Sequence, residues 1–117
     1  MIMKIALVRL ADQFGVPSLK TRPCVVLSQT KKHMKVCLYT HHPRFRDYQH
    51  GIIFSGNRRA KNWLDLTQVF IVRKEYVEMR NYHVNPRFQE EINKTLKKIK
   101  GQQIVHCVNY NKESDIF

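Results

Sequence analysis

Acidic residues are scarce in this 117-residue chain: 9 Asp and Glu stand against 21 Lys and Arg, a formal charge of +12 with histidine neutral. Such an imbalance says nothing about fold, but it favours a polyanionic partner: nucleic acid, an acidic protein or an anionic membrane. Long hydrophobic runs are missing too, and nothing approaches the ~20 apolar residues a membrane-spanning helix needs. The opening Met-Ile-Met-Lys-Ile-Ala-Leu-Val lacks the apolar core and cleavage site of a secretory leader, and reads as a first strand. Cysteine is limited to Cys24, Cys37 and Cys107, odd in number and set in apolar contexts. That excludes a disulfide framework and predicts reduced, buried thiols in a cytoplasm. No Ser-His-Asp constellation, P-loop or dinucleotide glycine fingerprint is present. Nor is there an internal repeat, a low-complexity tract or an interdomain linker, so the length predicts a single domain over 1–117.

What is present is mostly β-forming. Lys4 to Leu10 reads as a strand, and Gly15, Pro17 and Ser18 mark a loop after it. Pro23 precedes Cys24-Val25-Val26-Leu27 as proline does at the first position of a strand. Lys31-Lys32-His33 supplies a turn, and Lys35 to Thr40 forms the next strand. Gly51 to Phe54 is a short strand followed by a Ser55-Gly56-Asn57 turn. Trp63 to Val72 alternates as one long strand, with Leu64, Leu66, Phe70 and Val72 on its more apolar face. Asn85 and Pro86 open a helix that Gly101 stops. Phe88, Ile92, Leu96 and Ile99 form its apolar stripe, with Glu90 and Glu91 toward its start and four lysines toward its end. Ile104 to Tyr110 reads as a last strand. The expected architecture is mainly β with a C-terminal α-helix, a small sheet curled toward a barrel.

Polar groups gather at two strand ends. Arg22 opens one run, while Thr40 and His41 close the next, so hairpin pairing brings a guanidinium, a hydroxyl and an imidazole together. Such a set suits a phosphodiester. Taken singly, Arg22 reads as readily as a surface arginine and Thr40 as an ordinary β-former. Between Arg44 and Lys61 the chain carries Arg44, Arg46, Arg58, Arg59 and Lys61 against one acid, Asp47, with Phe45, Tyr48 and Phe54 interleaved. Cations meet backbone phosphates and aromatic rings stack on splayed bases, so this is a candidate single-strand binding surface; a solvated loop is the competing reading. Cys37, His41, His42 and His50 lack a paired-ligand spacing, and no metal or other cofactor is expected.

The order of Lys-Thr-Arg-Pro-Cys-Val-Val-Leu-Ser, a strand ending Tyr-Thr-His, Asn62-Trp63-Leu64-Asp65-Leu66-Thr67-Gln68-Val69, Arg73-Lys74-Glu75-Tyr76-Val77 and a capped helix resembles the MazF/PemK family of toxin endoribonucleases. The likeness spans roughly residues 4–101, and 102–117 form a C-terminal extension. It implies an SH3-like small barrel of the MazF/PemK/CcdB-like toxin fold, a homodimer, metal-independent and sequence-selective cleavage of single-stranded RNA, and neutralisation by an acidic antitoxin. It assigns Arg22 and Thr40 as catalytic and brings Gln68 into the RNA-binding set. His41 joins the catalytic candidates through its chemistry, because imidazole titrates near neutrality. Phe70 stands where family members often carry an arginine. Two alternatives accompany this reading: a non-catalytic barrel binding nucleic acid or protein, and a gyrase-directed toxin of the same fold. A membrane-surface role is the weakest, because the amphipathic helix has a sheet to cover.

Overall fold

The computed structural model describes residues 3–40, 51–57 and 60–111, with 51–57 and 60–63 described as backbone only. The elements run β1 (Lys4–Val8), β2 (Arg22–Gln29), β3 (His33–Thr40), β4 (Gly51–Asn57), β5 (Ala60–Asp65) and β6 (Gln68–Arg73). A 3-10 turn (Lys74–Tyr76), β7 (Val77–His83), α1 (Pro86–Lys98) and β8 (Ile104–Cys107) complete the order. The strands form one sheet in the order β4-β5-β3-β2-β1-β7, with β6 on β3 and β8 on β6. Every pairing is antiparallel except β6 with β8, and α1 lies in the connection between those two. Among the described residues the fold is thus mainly β with a single C-terminal helix, as the order of strand and helix signals predicts.

β3 organises the sheet. One edge pairs with β2; the other is shared, with His33–Val36 on β6 and Tyr39–Thr40 on β5. A core cluster covers each face of this central strand, which explains the unbroken apolar run Val36-Cys37-Leu38-Tyr39. Cys37 and Tyr39 face the first core, with Leu64, Leu66 and Val69 under Ile92 and Ile99 of the helix. Met34, Val36 and Leu38 face the second, with Ala6, Val8, Cys24, Val72 and Tyr110.

The helix follows its expected signals. The Asn85 side chain accepts from the Arg87 N–H at 2.9 Å, and Pro86 occupies the first turn. Ile92 and Ile99 are buried, with Phe88 and Leu96 packed against the same cluster. Lys97 and Lys98 complement the last turn, but the first turn holds no acid, because Glu90 and Glu91 fall one turn later.

Three expectations change. The strand predicted over Trp63 to Val72 is broken at Leu66–Thr67 into β5 and β6. The cause is local: the Asp65 carboxylate accepts from the Thr67 N–H at 2.9 Å and from the Thr67 hydroxyl, closing an Asx-type turn that competes with extension. The residues Ser55 to Asn57, expected as a turn, continue β4. Finally, Cys107 is exposed, because β8 is a sheet edge; only Cys24 and Cys37 are buried.

The loop from β1 to β2 is tied from both sides. Asp12 accepts from the Phe14 and Val16 N–H groups at 2.8 and 3.0 Å, and the Arg9 Nε donates to the Ser18 carbonyl at 2.6 Å. Gly15 has φ +80°, and its carbonyl accepts from the Asn111 N–H at 2.7 Å. A β-carbon at Gly15 would meet the Asn111 nitrogen at 2.6 Å. Gly15→Ala is therefore expected to lower stability by about 1–2 kcal/mol from the left-handed backbone alone, and more if Asn111 must move. Urea denaturation checks this; a variant as stable as the parent would contradict the tie.

Candidate active site

The tied loop delivers the chain into β2 at Arg22, and the register then decides what Arg22 meets. Cys24 pairs with Leu38, Val25 with Cys37 and Val26 with Val36. Arg22 and Thr40 each lie two residues beyond the Cys24–Leu38 pair, toward the same end of the two strands. On the other side Val8 pairs with Arg22, and Thr40 pairs with Trp63 of β5. Directly opposed residues share a sheet face. Arg22 and Thr40 therefore stand on the face of Val8, Cys24 and Leu38, one step beyond the buried second core. Arg22 is exposed and Thr40 half-buried. Among the described residues no carboxylate pairs with the Arg22 guanidinium. A solvated cation and a hydroxyl at the rim of an apolar core can together take an anionic oxygen.

His41, Arg44, Arg46, Arg58 and Arg59 lie outside the described residues. Lys61 lies on β5, two positions before the Trp63 that pairs with Thr40.

Gln68 is brought into a different set. Its Nε2 donates to Asp65 at 3.0 Å, and its Oε1 lies 2.9 Å from Nε2 of His106. With the amide nitrogen turned to a carboxylate, the amide oxygen faces the imidazole, so His106 Nε2 carries the hydrogen and donates. His106 also stacks on Phe70, with centroids 4.7 Å apart and planes 17° from parallel. The parallel register of β6 and β8 places Phe70 beside His106. Gln103 adds a bond from its Nε2 to the Leu66 carbonyl at 2.8 Å. Spacing along the chain carries no sign of this group, because it depends on a parallel strand 38 residues away.

The buried thiols are chemically quiet. Burial pushes the Cys24 thiol up to about 12, and burial with the nearby Asp65 charge pushes Cys37 up to about 12. Burial likewise raises Tyr39, and it raises Tyr110 to about 12, whose hydroxyl donates to the Arg9 carbonyl at 2.6 Å. A thiol whose folded value exceeds its unfolded value keeps its proton longer in the folded state. Its contribution to stability is complete below pH 9, the ordinary thiol value, and is lost as pH rises from 9 toward 12. Native protein is expected to react with a thiol reagent rapidly at Cys107 only. Cys24 and Cys37 should react on unfolding, earlier in urea at pH 10 than at pH 8. Rapid labelling of all three in native protein would contradict the burial.

Among the described residues no helix is long and apolar enough to cross a membrane. No curated protein matches the chain. A family model described as PemK-like, MazF-like toxin of type II toxin-antitoxin system matches residues 3–99, which takes in every strand from β1 to β7 and the whole helix. Membership of this family implies an antitoxin partner. With its single sheet, its C-terminal helix and this match over most of its length, the chain belongs to the PemK-like, MazF-like toxins of type II toxin–antitoxin systems.

Proposed function

We propose that this toxin is a metal-independent endoribonuclease acting on single-stranded RNA, with Arg22 and Thr40 at its active site. The observation that supports the reading is the Cys24–Leu38 pairing of β2 with β3, from which an exposed Arg22 and a half-buried Thr40 each lie two residues further toward the same end of the sheet.

In this reading the 2′-OH of the substrate attacks the adjacent phosphorus. The O2′–P bond forms, the P–O5′ bond breaks, and one proton passes from O2′ to the departing O5′. Arg22 donates two parallel hydrogen bonds to the non-bridging oxygens as charge builds on them. Thr40 donates to the same phosphoryl group. His41, next along the chain, is the group suited to proton transfer. The basic residues Arg44, Arg46, Arg58, Arg59 and Lys61 take the flanking phosphates. The toxin works as a homodimer in the cytoplasm, held inactive by an acidic antitoxin that complements its charge.

Purified toxin incubated with RNA in excess chelator tests the chemistry. The expected products carry a 2′,3′-cyclic phosphate (or its 3′-phosphate hydrolysis product) and a 5′-OH. A 5′-phosphate would reject the proposed attack by the 2′-OH.

One observation favours a second reading, a barrel that binds RNA without cutting it. The Gln68 amide is engaged at both ends, by Asp65 and His106, and Phe70 is stacked rather than presenting a cation. Tight, salt-sensitive binding with no cleavage would select this alternative.

A further inference from the structure

A second basic site stands at the far end of β3 from Thr40. The turn from β2 to β3 carries Lys31 and Lys32, β3 opens with His33, and Lys35 follows. The end of β6 adds Arg73, and the 3-10 turn that follows adds Lys74. His33 pairs directly with Arg73, and the Lys74 N–H donates to the Lys32 carbonyl at 3.0 Å, which locks the two turns together. Thr30 helps set the turn, its Oγ1 accepting from the His33 N–H at 3.2 Å.

The result is a cleft of about 440 Å³ lined by Lys32, His33, Arg73, Lys74 and Glu75. Glu75 neutralises Arg73 in an ion pair, and among the described residues no carboxylate pairs with Lys31, Lys32, Lys35 or Lys74. Beside it, with His33 in common, lies a slot of about 250 Å³. Met34 and Ile71 supply its apolar wall, Ser28, Gln29 and Thr30 its polar rim, and Lys35 a cation at its edge. A cationic cleft joined to an apolar slot with hydrogen-bonding edges has the chemistry of a nucleotide: phosphate in one, base in the other, with an imidazole between them able to stack. Lysine-rich surface of this kind suits phosphates better than a protein partner, since lysine is depleted in protein–protein interfaces.

We propose that this cleft and slot form a second subsite for single-stranded RNA, holding a nucleotide remote from the Arg22–Thr40 centre. The proposal rests on the reading of the toxin as an RNA-directed protein. His33 and Thr40 are separated by seven strand steps, about 23 Å at 3.3 Å per residue. Only longer strands therefore reach both sites, and the subsite selects for length without changing the chemistry.

The test compares full-length wild type with the double variant Lys32→Glu/Lys74→Glu, and with Lys97→Glu/Lys98→Glu on the exposed helix face as an equal change of charge elsewhere. Binding of a 2′-O-methyl RNA 20-mer, which cannot be cut, is measured against salt. Cleavage of a six-nucleotide RNA is measured in parallel, with circular dichroism to verify folding. The expected result is a loss of at least about tenfold in 20-mer affinity for the cleft variant. Its salt slope should fall by about 1.4, two phosphate contacts at 0.7 each, with six-mer cleavage within twofold of wild type. Unchanged 20-mer affinity overturns the proposal, as does an equal loss in the helix variant. Polyglutamate serves as the acidic-protein probe; loss of its binding with 20-mer affinity intact would make the cleft a protein-docking surface and also overturn it. If wild type cuts no RNA, the enzymatic reading fails, while the 20-mer comparison still decides the cleft.

Discussion

Arg22→Ala is expected to lower the rate of RNA cleavage by about a hundred- to a thousandfold, the usual cost of removing one donor aimed at developing charge. Its folding stability should stay within about 0.5 kcal/mol of the parent, because Arg22 is exposed and pairs with no carboxylate among the described residues. Arg22→Lys should recover only part of the rate. It restores the positive charge but not the planar fork that grips two oxygens at once. Single-turnover cleavage of a defined RNA, run beside urea denaturation, separates the two effects. A rate that falls only in step with the folded fraction would make Arg22 structural and remove it from the chemistry.

Ile92→Ala should produce the largest loss of stability. Ile92 is fully buried at the point where the helix meets Leu64, Leu66 and Val69. Truncation there removes three carbons and leaves a cavity that a rigid sheet fills poorly, at a cost of about 2–5 kcal/mol. Ile92→Val removes a single carbon and should cost about 0.5–1.5 kcal/mol. The urea midpoint should move without a change in the slope of the transition. A loss below the range for valine would mean that the helix is not seated on the sheet as described.

The helix was legible because its signals are local. Asn85, Pro86, the stripe ending at Ile99 and Gly101 all act within one or two turns, and the structure carries each of them. β2 and β3 were legible for a related reason: short apolar runs between polar turns have few alternatives. β7 left little trace in the sequence. Val77 to His83 sets Glu78, Arg80, Asn81 and His83 among Val77, Met79 and Tyr82 and is largely exposed, so its pairing with β1 comes from the sheet rather than from its own pattern. The break at Asp65 was hidden by an alternation that runs through it, since a side-chain hydrogen bond to Thr67 has no period.

The candidate site divides along the same line. That Arg22 and Thr40 lie toward the same end of paired strands follows from hairpin register, which adjacent strands fix by themselves. The capture of Gln68 by His106 needs a parallel strand on the far side of the helix, and only the folded chain reveals it. Exposure of Cys107 belongs to this second class, since an apolar-looking segment became a sheet edge.

The bond between Gly15 and Asn111 has a consequence in time. It joins residues 96 positions apart, and contacts of such separation form only after the entropy of closing the intervening chain has been met. The loop that leads into Arg22 therefore cannot take its final shape on a nascent chain until residue 111 has been synthesised. During synthesis, the strands that frame the candidate site can pair well before the segment that presents its arginine is secured.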